Sequence, residues 1–186
     1  MVGWLVSAIL YLWELFKVWA STIFIVPFKN TDMLWLLGPI WIAWFFAEFF
    51  QEKVGTSLGN AITNSVVVLW AGIDCTRQTV RLLAAGMFKS TAEIIFRFAL
   101  LGFAFAYSIT IIVLGIKGNK IIKYFGRIRV VTYAFVMYVP VFYNAIPLSW
   151  SHFFASVLFF PLFYGVIELL DHIIPDPKAV IKDRFE

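Results

Sequence analysis

SLGNAITNSVVVLWAGIDCTRQTVR, residues 57–81, places two asparagines, an aspartate, a glutamine and two arginines inside a strongly apolar chain. Its reading decides whether the fold has six membrane helices or five. The 186 residues are 62% hydrophobic and 14% charged, with a mean hydropathy of +0.88. Soluble domains lie near 45–50% apolar and about 25% charged. A domain of this size must still present a surface to its solvent, so the excess points to lipid as that solvent. The 21 Phe and 8 Trp point the same way, because aromatic rings pack against lipid and Trp favours the headgroup level. The sequence therefore reads as an integral, multi-pass, all-α membrane protein.

Outward from 57–81, charge-free stretches mark the other spans. About 20 apolar residues cross the ~30 Å hydrocarbon layer as a helix. Residues 98–116 are uncharged between Arg97 and Lys117, and form one clear span. Residues 130–167 hold no Asp, Glu, Lys or Arg and are too long for one helix. Asn144 and Pro147 divide them into spans of roughly 130–146 and 150–170. Residues 33–50 form another span, with Thr31 or Asp32 as N-cap and Pro39 inside it. Residues 2–27 read as a tilted span, or as an interfacial segment over 2–16. Glu14 and Lys17, spaced i, i+3, would pair on one face of that helix as an intramembrane ion pair.

Segment 54–73 is uncharged, but Thr56, Ser57, Asn60, Thr63, Asn64 and Ser65 lower its hydropathy. It reads as a sixth span or as a re-entrant helix, and the latter needs protein or water around its polar groups. Six spans give the better charge balance. Lys53, Lys117, Lys120, Lys123, Arg127, Arg129, Lys178, Lys182 and Arg184 then share one side. Lys29, Arg77, Arg81, Lys89 and Arg97 share the other. The positive-inside rule places the first group in the cytoplasm together with both termini. The whole chain, 1–186, reads as a single transmembrane domain, with 171–186 as a short polar cytoplasmic tail.

On a helical wheel of 57–81, Asn60, Asn64, Asp74 and Gln78 fall within about 100° of one another. Arg77 sits at i+3 from Asp74, where it can neutralise the carboxylate. An amide in hydrocarbon without a partner costs roughly 2–7 kcal/mol, so this seam must face another helix, another subunit or water. Polar residues within a span are functional candidates. The seam is the expected lining of a path for an ion or small polar ligand, which makes the chain a small channel or transporter-type protein. Gly55 and Gly59 form a small-xxx-small pattern beside it, suited to close helix packing. The alternative is a non-catalytic structural or assembly subunit of a larger membrane complex, in which the seam grips a partner helix. Either reading expects the bilayer and a homo-oligomer or other membrane subunits as partners.

A lipid-modifying enzyme ranks third, because no HExxH, GxSxG or paired-acid motif is present. Glu48 is expected at the interface, and the Glu93–Arg97 pair is expected to reach for headgroups. His152 and His172 are too isolated to read as metal ligands. The one cysteine, Cys75, excludes an internal disulfide and a multi-thiolate zinc site. No Gly-rich phosphate loop or basic-aromatic surface suggests nucleic acid, and the sequence names no cofactor.

Overall fold

The computed structural model of the chain describes residues 2–53 and 55–175. The expected tail falls outside them from residue 176 onward, and Asp171–Ile173 belong to the last helix. The described residues are helical, with no strand among them. α1 (Val2–Phe24) leads through a 3-10 turn, Val26–Lys29, into α2 (Thr31–Phe46). α2 continues as a wider π-helical turn over Ala47–Gln51, where the Glu52 N–H donates to Ala47 O at 2.7 Å. α3 is Leu58–Ala84, α4 Thr91–Ile116, α5 Ile122–Phe125 and α6 Ile128–Phe142. α7 (Trp150–Leu158) and α8 (Phe160–Ile173) follow, broken at Phe159 where Pro161 lacks the N–H that would continue α7.

The stretch 57–81 is helical from Leu58 through Arg81, with Ser57 as the extended cap before it. At 27 residues α3 measures about 40 Å, more than the hydrocarbon layer needs. Ser57 starts it by accepting a bond from the Asn60 N–H at 3.0 Å. Among the described residues, five helical runs are long and apolar enough to cross a membrane: Gly3–Phe24, Thr31–Gln51, Leu58–Ala84, Thr91–Ile116 and Trp150–Ile173. The short element lies elsewhere. α6 has 15 residues, about 22 Å. It is a post at the centre, with 11 of the 15 buried, and α1, α2 and α3 pack around it. The helix cap of α2 also differs from expectation. Asn30, not Thr31 or Asp32, accepts from the Asp32 and Met33 N–H groups at 2.9 and 3.2 Å.

Chain direction alternates, so one end of the bundle carries Lys53, Lys117, Lys123 and Arg129, and the other carries Lys29, Arg77, Arg81 and Arg97. A hydrogen-bond chain ties three helices together at mid-bundle. Trp19 Nε1 donates to the Tyr133 hydroxyl at 3.0 Å, and that hydroxyl donates to Ser156 O at 2.6 Å. α3 and α4 pack along their length.

The glycines that permit close approach are not those read from the sequence pattern. Gly55 precedes α3 with φ +115°, a conformation that L side chains rarely adopt, and a Cβ at Gly59 would meet only Ser57 Oγ at 3.8 Å. No neighbouring helix of this chain lies within 4 Å of a Cβ placed on either of them. The tight contacts are at Gly115 and Gly126. A Cβ on Gly126 would lie 2.7 Å from Ala61 Cβ and 2.9 Å from Ala61 Cα, with backbone that cannot give way. Gly126→Val should therefore overpack this junction, cost about 1–3 kcal/mol, and lower the thermal midpoint of the detergent-solubilised protein. Gly59→Val, measured in parallel, should leave that midpoint near wild type.

Candidate functional site

Glu48 and Arg129 are both withdrawn from solvent, at 1% and 0% exposure. Neither charge tolerates burial alone, because desolvating an ion costs several kcal/mol even after relaxation. The fold brings them together from positions 81 residues apart. Arg129 Nε donates to Glu48 Oε1 at 2.9 Å, and its Nη2 donates to the same oxygen. The third guanidinium nitrogen donates to Glu168 Oε2 of α8 at 2.6 Å. The guanidinium plane lies 4.4 Å from the Tyr164 ring centre, an arrangement that suits arginine and not lysine. Arg127 donates to the Tyr164 hydroxyl at 2.8 Å.

One turn on from Glu48, across the π-helical turn, Glu52 is fully buried and accepts from three neutral donors. These are Asn64 Nδ2 and the Thr56 hydroxyl, each at 2.7 Å, and the Ile128 N–H at 3.2 Å. Asn64 Nδ2 also donates to Gly126 O at 2.7 Å. Lys53 donates to the Ile174 carbonyl with Asp171 at 4.0 Å. This first network joins the end of α2, the start of α3, the start of α6 and α8. π-turns cluster at functional sites, and here one separates the two buried glutamates.

A second network closes the other end of α6. Arg97, at 0% exposure, donates to Glu93 Oε1 at 3.2 and 2.8 Å and to the carbonyl of Val141. A cation on the last carbonyls of a helix also complements its dipole. Phe88 stacks on the guanidinium at 4.8 Å. Beside it, Asp74 takes a bond from Arg77 and another from the Tyr143 hydroxyl.

The predicted seam is thus divided. Asn64 belongs to the first network, Asp74 and Arg77 to the second, and Asn60 and Gln78 are half-buried at the margin of the face that α3 packs inward. Ten residues of helix, about 15 Å, separate Asn64 from Asp74, with Val67, Val68 and Ala71 between them. Glu14 and Lys17 do pair, at 2.7 Å, but with side chains 65% and 51% exposed they lie on the outer face of α1. Glu48 and Arg97 face inward, not toward headgroups, because each finds a buried partner that repays its desolvation. Among the described residues no three His, Cys, Asp or Glu side chains converge as a metal site.

Between the two networks lies an apolar cleft of about 340 Å³. α3 forms its back with Val68, Ala71, Gly72 and Cys75, while Ala104 on α4 and Ala134 on α6 stand on opposite walls. Phe103 and Ala134 are exposed, so the cleft opens sideways, toward lipid in a bilayer.

Sequence reasoning missed Glu52 and undervalued Glu48 and Arg129. The available signal was an acid in each of the successive turns 48 and 52 of an otherwise apolar helix, four residues apart.

Arg129→Met should strand Glu48 and cost about 3–5 kcal/mol in unfolding from detergent. The Glu48→Gln/Arg129→Met double variant should recover much of that loss, which a thermodynamic cycle measures directly. In a Cys75→Ala background, single cysteines at 64, 68 and 71 should resist a membrane-impermeant thiol reagent, while one at 77 should react.

No protein-family model, curated protein or solved structure matches the chain.

Proposed function

We propose that this chain is a small transporter-type membrane protein that takes an apolar or amphiphilic molecule from the bilayer into the cleft between α3, α4 and α6. One observation carries the reading: an apolar, laterally open cavity of about 340 Å³ sits between two buried ionic networks. The volume falls within the ~300–1,000 Å³ typical of ligand sites. A lining with scarcely a polar atom favours hydrocarbon over an ion. An ion following α3 from Asn64 to Asp74 would pass Val67, Val68 and Ala71, where desolvation is prohibitive. The Glu48–Arg129 and Glu93–Arg97 networks serve as the two closures. The end bearing Lys117, Lys120 and Lys123 faces the cytoplasm by the positive-inside rule.

A second reading has its own support. Every residue of α1 from Gly3 to Glu14 is exposed, Trp4, Ile9 and Trp13 among them, and packing begins only at Leu15. That half-helix suits a subunit that leans on a neighbouring chain.

In proteoliposomes, a diazirine-bearing long-chain fatty acid should photolabel peptides of α3, α4 and α6. Ala134→Trp, which fills the cleft from its rim, should cut this labelling at least tenfold and slow transfer of the fatty acid between leaflets. Labelling confined to α1, with transfer unchanged in the variant, would transfer support to the subunit reading.

A further inference from the structure

On the opposite side of α3 from the cleft, α2 and α3 splay apart around a groove of about 670 Å³. Leu36 and Ile40, both nearly fully buried, form its floor. Trp35 and Trp70 stand at its edges, at 85% and 65% exposure. Along α3 the groove runs from Val66 to Arg77, 11 residues or about 16 Å. That is the depth of one leaflet, half of the ~30 Å hydrocarbon layer.

Only one end of the groove is charged. Asp74, Arg77 and Tyr143 line it there, and Arg81, exposed and one turn beyond, continues the face of Arg77. Asp74 is occupied on both oxygens, by Arg77 and by Tyr143, which offsets the charge of Arg77 and fixes the guanidinium at the mouth. Arg81 adds a positive charge at the same level. Lys29, just before α2, and Asp32, in its first turn, add one charge of each sign at this end.

A molecule complementary to this groove has a hydrocarbon chain one leaflet long and an anionic group at its end. We infer that the α2–α3 groove is a binding site for an anionic phospholipid of the surrounding leaflet, with one acyl chain between Trp35 and Trp70 and its phosphate on Arg77 and Arg81. A zwitterionic headgroup would place a cation against these two guanidinium groups, whereas an anionic phosphate meets them with its opposite charge. The site is independent of the α3–α4–α6 cleft and does not rest on the function proposed for it.

Native mass spectrometry of the full chain from detergent, with phosphatidylglycerol or phosphatidylcholine added, tests the assignment. Phosphatidylglycerol should be retained at least tenfold better. Arg81→Gln should lower that retention several-fold without changing thermal stability, and Arg77→Gln/Arg81→Gln should abolish the preference. Ala43→Trp, which blocks the deep end of the groove, should remove bound lipid while leaving both arginines in place. Arg81→Gln avoids the Asp74 pair, so it reads lipid binding even if Arg77→Gln fails to fold. Equal retention of the two lipids would overturn the proposal. So would displacement by millimolar inorganic phosphate alone, or retention unaffected by Ala43→Trp. A second copy filling the groove, seen as a dimer that Ala43→Trp dissolves, would also overturn it. Ala134→Trp should leave phosphatidylglycerol retention unchanged, which separates failure here from failure of the cleft.

Discussion

A guanidinium wholly removed from water is the constraint on which this architecture depends. Arg129 begins the central helix, and α6 can occupy the middle of the bundle only because Glu48 and Glu168 meet that charge from two other helices. The π-turn at the end of α2, the connection at Thr56, the second turn of α3 and the body of α8 all converge on the same few ångströms. Breaking one ion of such a set leaves the other stranded in low dielectric. The arrangement specifies which helices are neighbours far more sharply than apolar packing does, since in a bilayer lipid tails compete with side chains for every apolar contact.

Polarity is distributed by height, not by face. The two networks lie at the ends of α6, and the layer between them is apolar apart from the Trp19–Tyr133–Ser156 chain, His152 on the Met137 carbonyl and a few buried hydroxyls. α6 carries its one charge, Arg129, in its first turn, and its far end receives Arg97 of α4 on the Val141 carbonyl. The outcome is a chain whose buried charges gather at two levels and leave apolar concavities between and beside them. The cleft is accordingly lined without a charged side chain, and the groove meets charge only at the end where Asp74 and Arg77 stand.

Much of this was legible in the sequence. Uncharged stretches located the long helices, and the charge balance assigned Lys53, Lys117 and Arg129 to one end and Arg77 and Arg97 to the other. The pairs Glu14–Lys17, Asp74–Arg77 and Glu93–Arg97 formed as helical spacing required. What stayed hidden is long-range. Nothing local to Glu48 announces an arginine 81 residues later, and a wheel drawn on α3 cannot show that Asn64 and Asp74 serve opposite ends of the bundle. The same limit applies to the glycines. Gly55 and Gly59 satisfy a pattern, whereas Gly126 matters because Ala61 of a different helix sits against it.

The order in which Arg129 meets its partners has a consequence for synthesis. Glu48 lies upstream of it and Glu168 downstream. When Arg129 leaves the ribosome, Glu48, Glu52 and Asn64 have already been made, so its first counter-charge is in the chain before the arginine that needs it. α8 arrives later with Glu168 and Tyr164, adding the second carboxylate and the stacked ring to a pair already closed. A chain read from its N-terminus thus carries the carboxylate before the guanidinium, and its last helix brings the second carboxylate and the ring to a pair whose members are both already present.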